Sequence, residues 1–259
     1  MKFALYESFR IEPTSKFQGA VCPLCKEKVI AKCGLIKQWH WSHESILDCD
    51  SFGEPESEWH LNWKNRFPNE CVEVIIEKHR ADIKTKLNDS LGNSTEIIEL
   101  QNSPISPQEI LEREQVYKNM IWLFNGETFA KNLILRPNGS YISFRWKHPP
   151  KSLWSANKPI YIDLSSMIKS FDLELSKALD NLARIEKYAE ENGVTFSSEK
   201  WILEERIKTL LQKIELYEDK LFLIKKIYSN IPCGGWGRII TKKEFLKRYS
   251  EKENDTTTI

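Results

Sequence analysis

Apolar and polar positions change rhythm three times along the chain. Residues 1–54 carry short apolar pieces broken by Gly, Pro and a Cys/His cluster, a pattern of small strands and turns. From Glu56 to about Phe67 the period is helical: Trp59, Trp63 and Phe67 recur at i, i+4 and i+8, and Pro68 stops the run. CVEVIIEKHRADIKT is rich in β-branched residues and is followed by the turn-forming NDSLGN. STEIIELQNS reads as a second strand, so the two predict a β-hairpin. Ser106, Pro107 and Glu109 have the residue types of N-cap, N1 and N3, which predicts a helix running to about Lys118 or Met120. MIWLF then reads as a buried strand, and LILRP, YISFRW and PIYIDL as further short strands.

From about Ser165 to Asn230 the chain is dense in Leu, Ile, Lys and Glu, with ENGVTFSS interrupting it. That predicts an antiparallel helical pair. Helix, hairpin, helix, strand is an α+β layout, with a sheet packed against flanking helices. The expected organisation is a zinc-binding segment at 1–54, an α/β core at 55–164, a helical region at 165–250 and a disordered tail at 251–259. No fixed-period repeat is evident.

Composition narrows the function classes little. The 38 Lys and Arg nearly balance the 37 Asp and Glu, so any surface for a polyanion has to be local. No apolar run approaches the roughly 20 residues that span a bilayer. MKFALYESFR is broken by Glu7 and Arg10 and lacks a secretory apolar core. A cytoplasmic address is expected, where six cysteines are metal ligands or reduced thiols rather than a disulfide set.

CPLC sets Cys22 and Cys25 two residues apart, a spacing that lets two thiolates of one tight turn face a single ion. His40 and His43 in HWSH repeat the spacing downstream. The whole reads C-x2-C-x14-H-x2-H, four ligands suited to a closed structural Zn²⁺ site, with Cys33 and Cys49 as substitutes for the last two. A redox CxxC usually opens a helix, and no helix start is visible here.

Phosphodiester hydrolysis assisted by a divalent ion needs carboxylates that converge on one point. Asp82 and Glu99 sit on the two arms of the expected hairpin. Glu99 and Gln101 share a strand face, because side chains alternate with period two. Glu56, His60 and Lys64 recur at i, i+4 and i+8, and Glu77 lies just before Asp82. Taken singly, each has a duller reading as a solvated strand residue or a surface ion pair.

The ordered string CPLC, HWSH, ESEWHLNWK, E-x-x-R-A-D-I, IIELQNSPIS, the helix with Arg113 and Tyr117, and IWLF resembles the competence protein CoiA-like family, nucleases of the PD-(D/E)XK superfamily. The resemblance covers roughly residues 20–125 and implies a restriction-endonuclease-like core. It implies that Asp82 and Glu99 bind catalytic Mg²⁺ or Mn²⁺, helped by the Leu100 carbonyl. Gln101 stands where the superfamily usually has lysine. A cation would then come from Lys64 or Lys84, or the metal alone would suffice, and Glu56, with Glu77 and Glu58 behind it, would complete the acidic set. His60 would orient a neighbour. Ser103, Arg113 and Tyr117 would position the motif or touch phosphate.

A nuclease of this kind has DNA, single- or double-stranded, as its partner. Lys64, Lys84, Arg113 and Tyr117, with Lys86, Lys118 and KKEFLKR, are the expected DNA contacts. Trp39 and Trp41 either stack on bases or form the small core of the zinc segment. No membrane contact is expected, and the helical pair could form a homodimer or hold a partner protein. The competing function is a non-catalytic single-stranded DNA adaptor, kept open by Gln101.

Overall fold

A computed structural model describes residues 1–14, 19–35, 39–44, 49–89, 92–228 and 233–249, with no side-chain description at 86–89 and 92–94. The expected tail at 251–259, the centre of NDSLGN and the Lys86 side chain lie outside that description. The fold is mixed α+β, in two compact units: residues 1–124, 150–160 and 244–259 in one, 125–149 and 161–243 in the other. These borders do not follow the expected division at 164/165.

The first unit opens on two small ribbons. Strands β1 (Ala4–Tyr6) and β2 (Phe9–Ile11) pair antiparallel, as do β3 (Val29–Lys32) and β4 (His40–His43). Their shared core is Met1, Ala4, Ala20, Cys22, Val29 and Trp41. So few apolar groups bury little area, which is why a bound metal matters to a segment of this size.

Helix α1 (Glu58–Lys64) starts two residues later than expected. Ser57 caps it by accepting from the His60 N–H, and His60 returns its ring nitrogen to the Ser57 N–H. Of the aromatic stripe, Trp63 and Phe67 are buried and Trp59 is half-buried. Phe245 of the unit's C-terminal segment meets Trp63 edge to face, ring centres 5.6 Å apart. Truncating a buried Trp of this kind costs about 3–5 kcal/mol.

The expected first hairpin arm is in fact two strands. β5 (Val72–Ile76) turns at Glu77, whose φ is 54°, into β6 (His79–Asp89), which pairs with β7 (Gly92–Gln101). Glu-Lys carries none of the usual turn residues, so periodicity alone ran through it. The β6–β7 pairing is the predicted hairpin. Helix α2 (Pro107–Tyr117) has Ser106 and Glu109 in a reciprocal capping box and Pro107 at its first turn, as the sequence predicted. It is tied down by Glu114, which accepts from the Trp122 indole and from the backbone N–H groups of Asn157 and Lys158. β8 (Met120–Asn125), buried along its whole length, runs parallel to β7.

In the second unit, β9 (Leu133–Asn138) pairs with β10 (Tyr141–Trp146), and β11 (Ile160–Asp163) precedes two long helices. These are α3 (Ile168–Asn192) and α4 (Ser197–Tyr217), the expected helical pair, with ion pairs Lys200–Glu186 and Arg206–Glu174 along it. The helical character ends earlier than expected. Residues from Lys220 form β12 (Lys220–Tyr228), followed by β13 (Gly234–Thr241), which pairs with both β12 and β10. KLFLIKKIY is apolar and β-branched enough to pair, and CGGWGR supplies the close approach. A Cβ at Gly235 would lie 1.9 Å from the Lys226 carbonyl oxygen. That pairing draws 125–149 together with the helices. Helix α5 (Lys242–Tyr249) ends the described chain.

Candidate metal centres

The turn that carries Cys22 and Cys25 is closed by Lys26 N–H to the Cys22 carbonyl, with Lys26 in the left-handed region at φ 64°. The Leu24 N–H points at Cys22 Sγ, 3.4 Å away. Cys22, Cys25, His43 and Cys49 form one cluster, with ligand atoms all within 4.8 Å of one another. Cys22 Sγ lies 3.9 Å from Cys49 Sγ, and Cys25 Sγ lies 3.3 Å from His43 Nε2. Zn–S bonds of about 2.3 Å and Zn–N bonds of about 2.0 Å imply tetrahedron edges of roughly 3.5–3.8 Å, close to both. Burial, with Cys22 and Cys25 beside it, pushes the Cys49 thiol up to about 12. A dication among these three crowded sulfurs would favour the Cys49 thiolate. The donor set fits zinc.

This changes the expected ligand set at one position: Cys49, one of the two expected substitutes, takes the place given to His40. His40 and His43 lie on β4, where neighbours three apart point to opposite faces. The x2 spacing that works on a helical turn fails on a strand. Trp41 shares the His43 face, is 1% exposed and donates its indole N–H to the Ile11 carbonyl, so it is core. Trp39 is exposed, and Cys33 is not in the cluster.

Asp82 and Glu99 are brought together as expected. Ile83 pairs with Ile98, and one step along the register sets Asp82 opposite Glu99. The Leu100 N–H donates to Asp82 Oδ2 at 3.0 Å. Arg113 of α2 donates to Glu99 Oε1 at 3.0 Å, while among the described residues the buried Glu99 Oε2 has no hydrogen-bond partner. Burial, then the nearby Asp82 charge, push Glu99 up to about 8, against the pull of Arg113. Gln101 donates to the Ser103 carbonyl, and its Oε1 is likewise buried and unpartnered.

Lys64 reaches this site from α1, 3.0 Å from Asp82 Oδ1, 2.9 Å from Glu56 and 3.1 Å from Glu73. Glu56 also pairs with the N-terminal ammonium at 3.2 Å. Glu58 and Glu77 are exposed or in a turn and make no contact with this set. Lys84 is half-buried on β6. Arg113 and Tyr117, expected at DNA, are buried within the unit, Arg113 on Glu99. From there Arg113 orients the Glu99 carboxylate. The Tyr117 hydroxyl is held neutral by burial and the nearby acids.

Three residues were missed. Glu73 accepts from the Lys2 and Phe3 N–H groups, and Lys64 with the N-terminal ammonium holds it ionised despite burial. Its strand register sets it opposite Asp82, a signal that needed the turn at Glu77 to be seen. Glu54 accepts from the Asn102 and Ser103 N–H groups and pairs with His60 Nε2 at 2.9 Å. Burial opposes the Glu54 charge, but these bonds hold it below its usual range, and the same pairing raises His60. Asp50 accepts from the Arg80 N–H and pairs with His79, on which Phe52 stacks at 3.7 Å. Backbone acceptors of this sort leave no mark on sequence spacing.

Residues of both groups, among them His43, Cys49, Glu54, Glu56 and Arg80, line one open cavity of about 350 Å³. Residues 11–52 match the family described as Competence protein CoiA, N-terminal domain. No curated protein and no solved structure matches the chain. Among the described residues no helix is long and apolar enough to cross a membrane.

Proposed function

We propose that this CoiA-like chain hydrolyses DNA phosphodiester bonds with a divalent ion, Mg²⁺ or Mn²⁺, in a competence-related setting of DNA uptake or recombination. The observation that carries the reading is the Glu99 carboxyl, buried across from Asp82 with one oxygen unclaimed. Two acids in that relation repel each other unless a proton or a cation lies between them. Gln101 Oε1, equally unclaimed on the same strand face, adds a third oxygen donor of the kind hard cations take. A bound dication there would polarise the phosphate and acidify a water. The chain's own part is positioning. The Leu100 N–H fixes Asp82, Arg113 fixes Glu99, and Lys64 holds positive charge beside Asp82 where negative charge builds on phosphate.

The test is cleavage of single- and double-stranded DNA with Mg²⁺ or Mn²⁺ by the native protein, Asp82→Ala and Glu99→Ala. Each substitution is expected to lower the rate on the order of a hundredfold or more. Cleavage that survives both removes this site from the reaction. The second reading, a non-catalytic single-stranded DNA adaptor, is favoured by Gln101 at the usual lysine position. It predicts no cleavage and binding that weakens steeply with salt.

A further inference from the structure

Registers on either side of β6 set Glu73 opposite Asp82 and Asp82 opposite Glu99, so three acids form a row across three strands. The two ends of the row differ. At the Glu99 end, Glu99 Oε2 and Gln101 Oε1 have no hydrogen-bond partner among the described residues. At the Glu73 end, the Lys64 ammonium lies between Glu56, Asp82 and Glu73, at 2.9, 3.0 and 3.1 Å. The ammonium donates to Glu56 and Glu73, and Asp82 completes its ring of three carboxylates as an ion pair. Asp82 is common to both ends.

Phosphoryl-transfer sites with two ions place them roughly 3.5–4 Å apart, bridged by shared carboxylates. This row has that plan, with a side-chain cation already in one place. We propose that Lys64 permanently fills the second cation position, so that the acidic site takes one divalent ion and not two. The inference rests on the metal-dependent reading above. A second dication would have to displace an ammonium held by three ion pairs in a water-poor interior, and beside it would meet like-charge repulsion. The arrangement also accounts for Gln101: the cation absent from β7 is supplied by α1.

The experiment counts Mn²⁺ on the full zinc-loaded chain at pH 8, by calorimetric titration and by electron paramagnetic resonance. The native protein is expected to bind one Mn²⁺, and Glu99→Gln none. Lys64→Met is expected to bind two, and the close pair should broaden the Mn²⁺ resonance through spin coupling. Where Lys64→Met does not fold, Lys64→Met with Glu73→Gln removes one charge of each sign and serves the same purpose. Two Mn²⁺ in the native protein, both lost in Glu99→Gln, overturn the inference and leave the metal-dependent reading standing. A folded Lys64 variant that still binds a single Mn²⁺ overturns it too. No Mn²⁺ in the native protein overturns the metal-dependent reading itself, and this inference with it.

Discussion

At Glu99 a carboxylic acid is held out of water, with Arg113 on one oxygen and nothing on the other. Its pKa of about 8 against an ordinary 4.5 means that the folded chain binds a proton the unfolded chain has lost over that interval. Without metal, stability attributable to this group therefore falls as pH rises from about 4.5 to about 8. Denaturant titrations at pH 5 and pH 8 should show the fall, and Glu99→Gln should flatten it. A cation that binds here displaces that proton. Mn²⁺ affinity should rise roughly tenfold per pH unit up to pH 8 and then level, as one proton is released per ion. An affinity flat from pH 6 to 8 would mean that Glu99 is already ionised. For the sulfur site, Cys49→Ser should lower zinc below one per chain and His40→Ala should leave it at one. Cys22 and Cys25 could be read from spacing, because one tight turn carries both, whereas H-x2-H named His43 together with a His40 that the strand turns to the other face. Cys49 was legible only as a substitute beside Cys33, since it arrives from a separate segment.

Elements were legible wherever their ends carry chemistry. Helix α2 announces itself through Ser106, Pro107 and Glu109, and the bonds those residues make are the predicted ones. Ser106→Ala should lower stability by about 1 kcal/mol in chemical denaturation and leave zinc content unchanged. A loss well above that would mean that Ser106 also braces the segment beside Ser103. The β5–β6 turn was missed because a Glu at φ 54° replaces the usual Gly or Asn. The β12–β13 pair was missed because its polar Lys and Glu neighbours continue the helical composition. Both errors come from reading local composition where strand pairing across long separations decides the outcome.

At the scale of the first unit, residues 49–57 join the two candidate centres. Cys49 belongs to the sulfur cluster, Asp50 holds the start of β6, and Phe52 lies between His79 and Arg113. Glu54 grips the end of β7, and Glu56 meets Lys64. A structural zinc contributes on the order of 10 kcal/mol to such a segment. Chelation should thus cost hydrogen-exchange protection across 1–54 and also at the Asn102 and Ser103 amides, which are bound by Glu54. Loss confined to 1–54 would show that the zinc segment acts alone. None of this linkage shows in sequence, since carboxylates bonded to distant backbone have no periodicity. A single backbone cut between Phe52 and Glu54 would leave all four ligands of the sulfur cluster on one piece and Asp82, Glu99 and Gln101 on the other. It would sever only the covalent path between them, so a nicked protein that keeps both metals asks whether the centres are wired or merely adjacent.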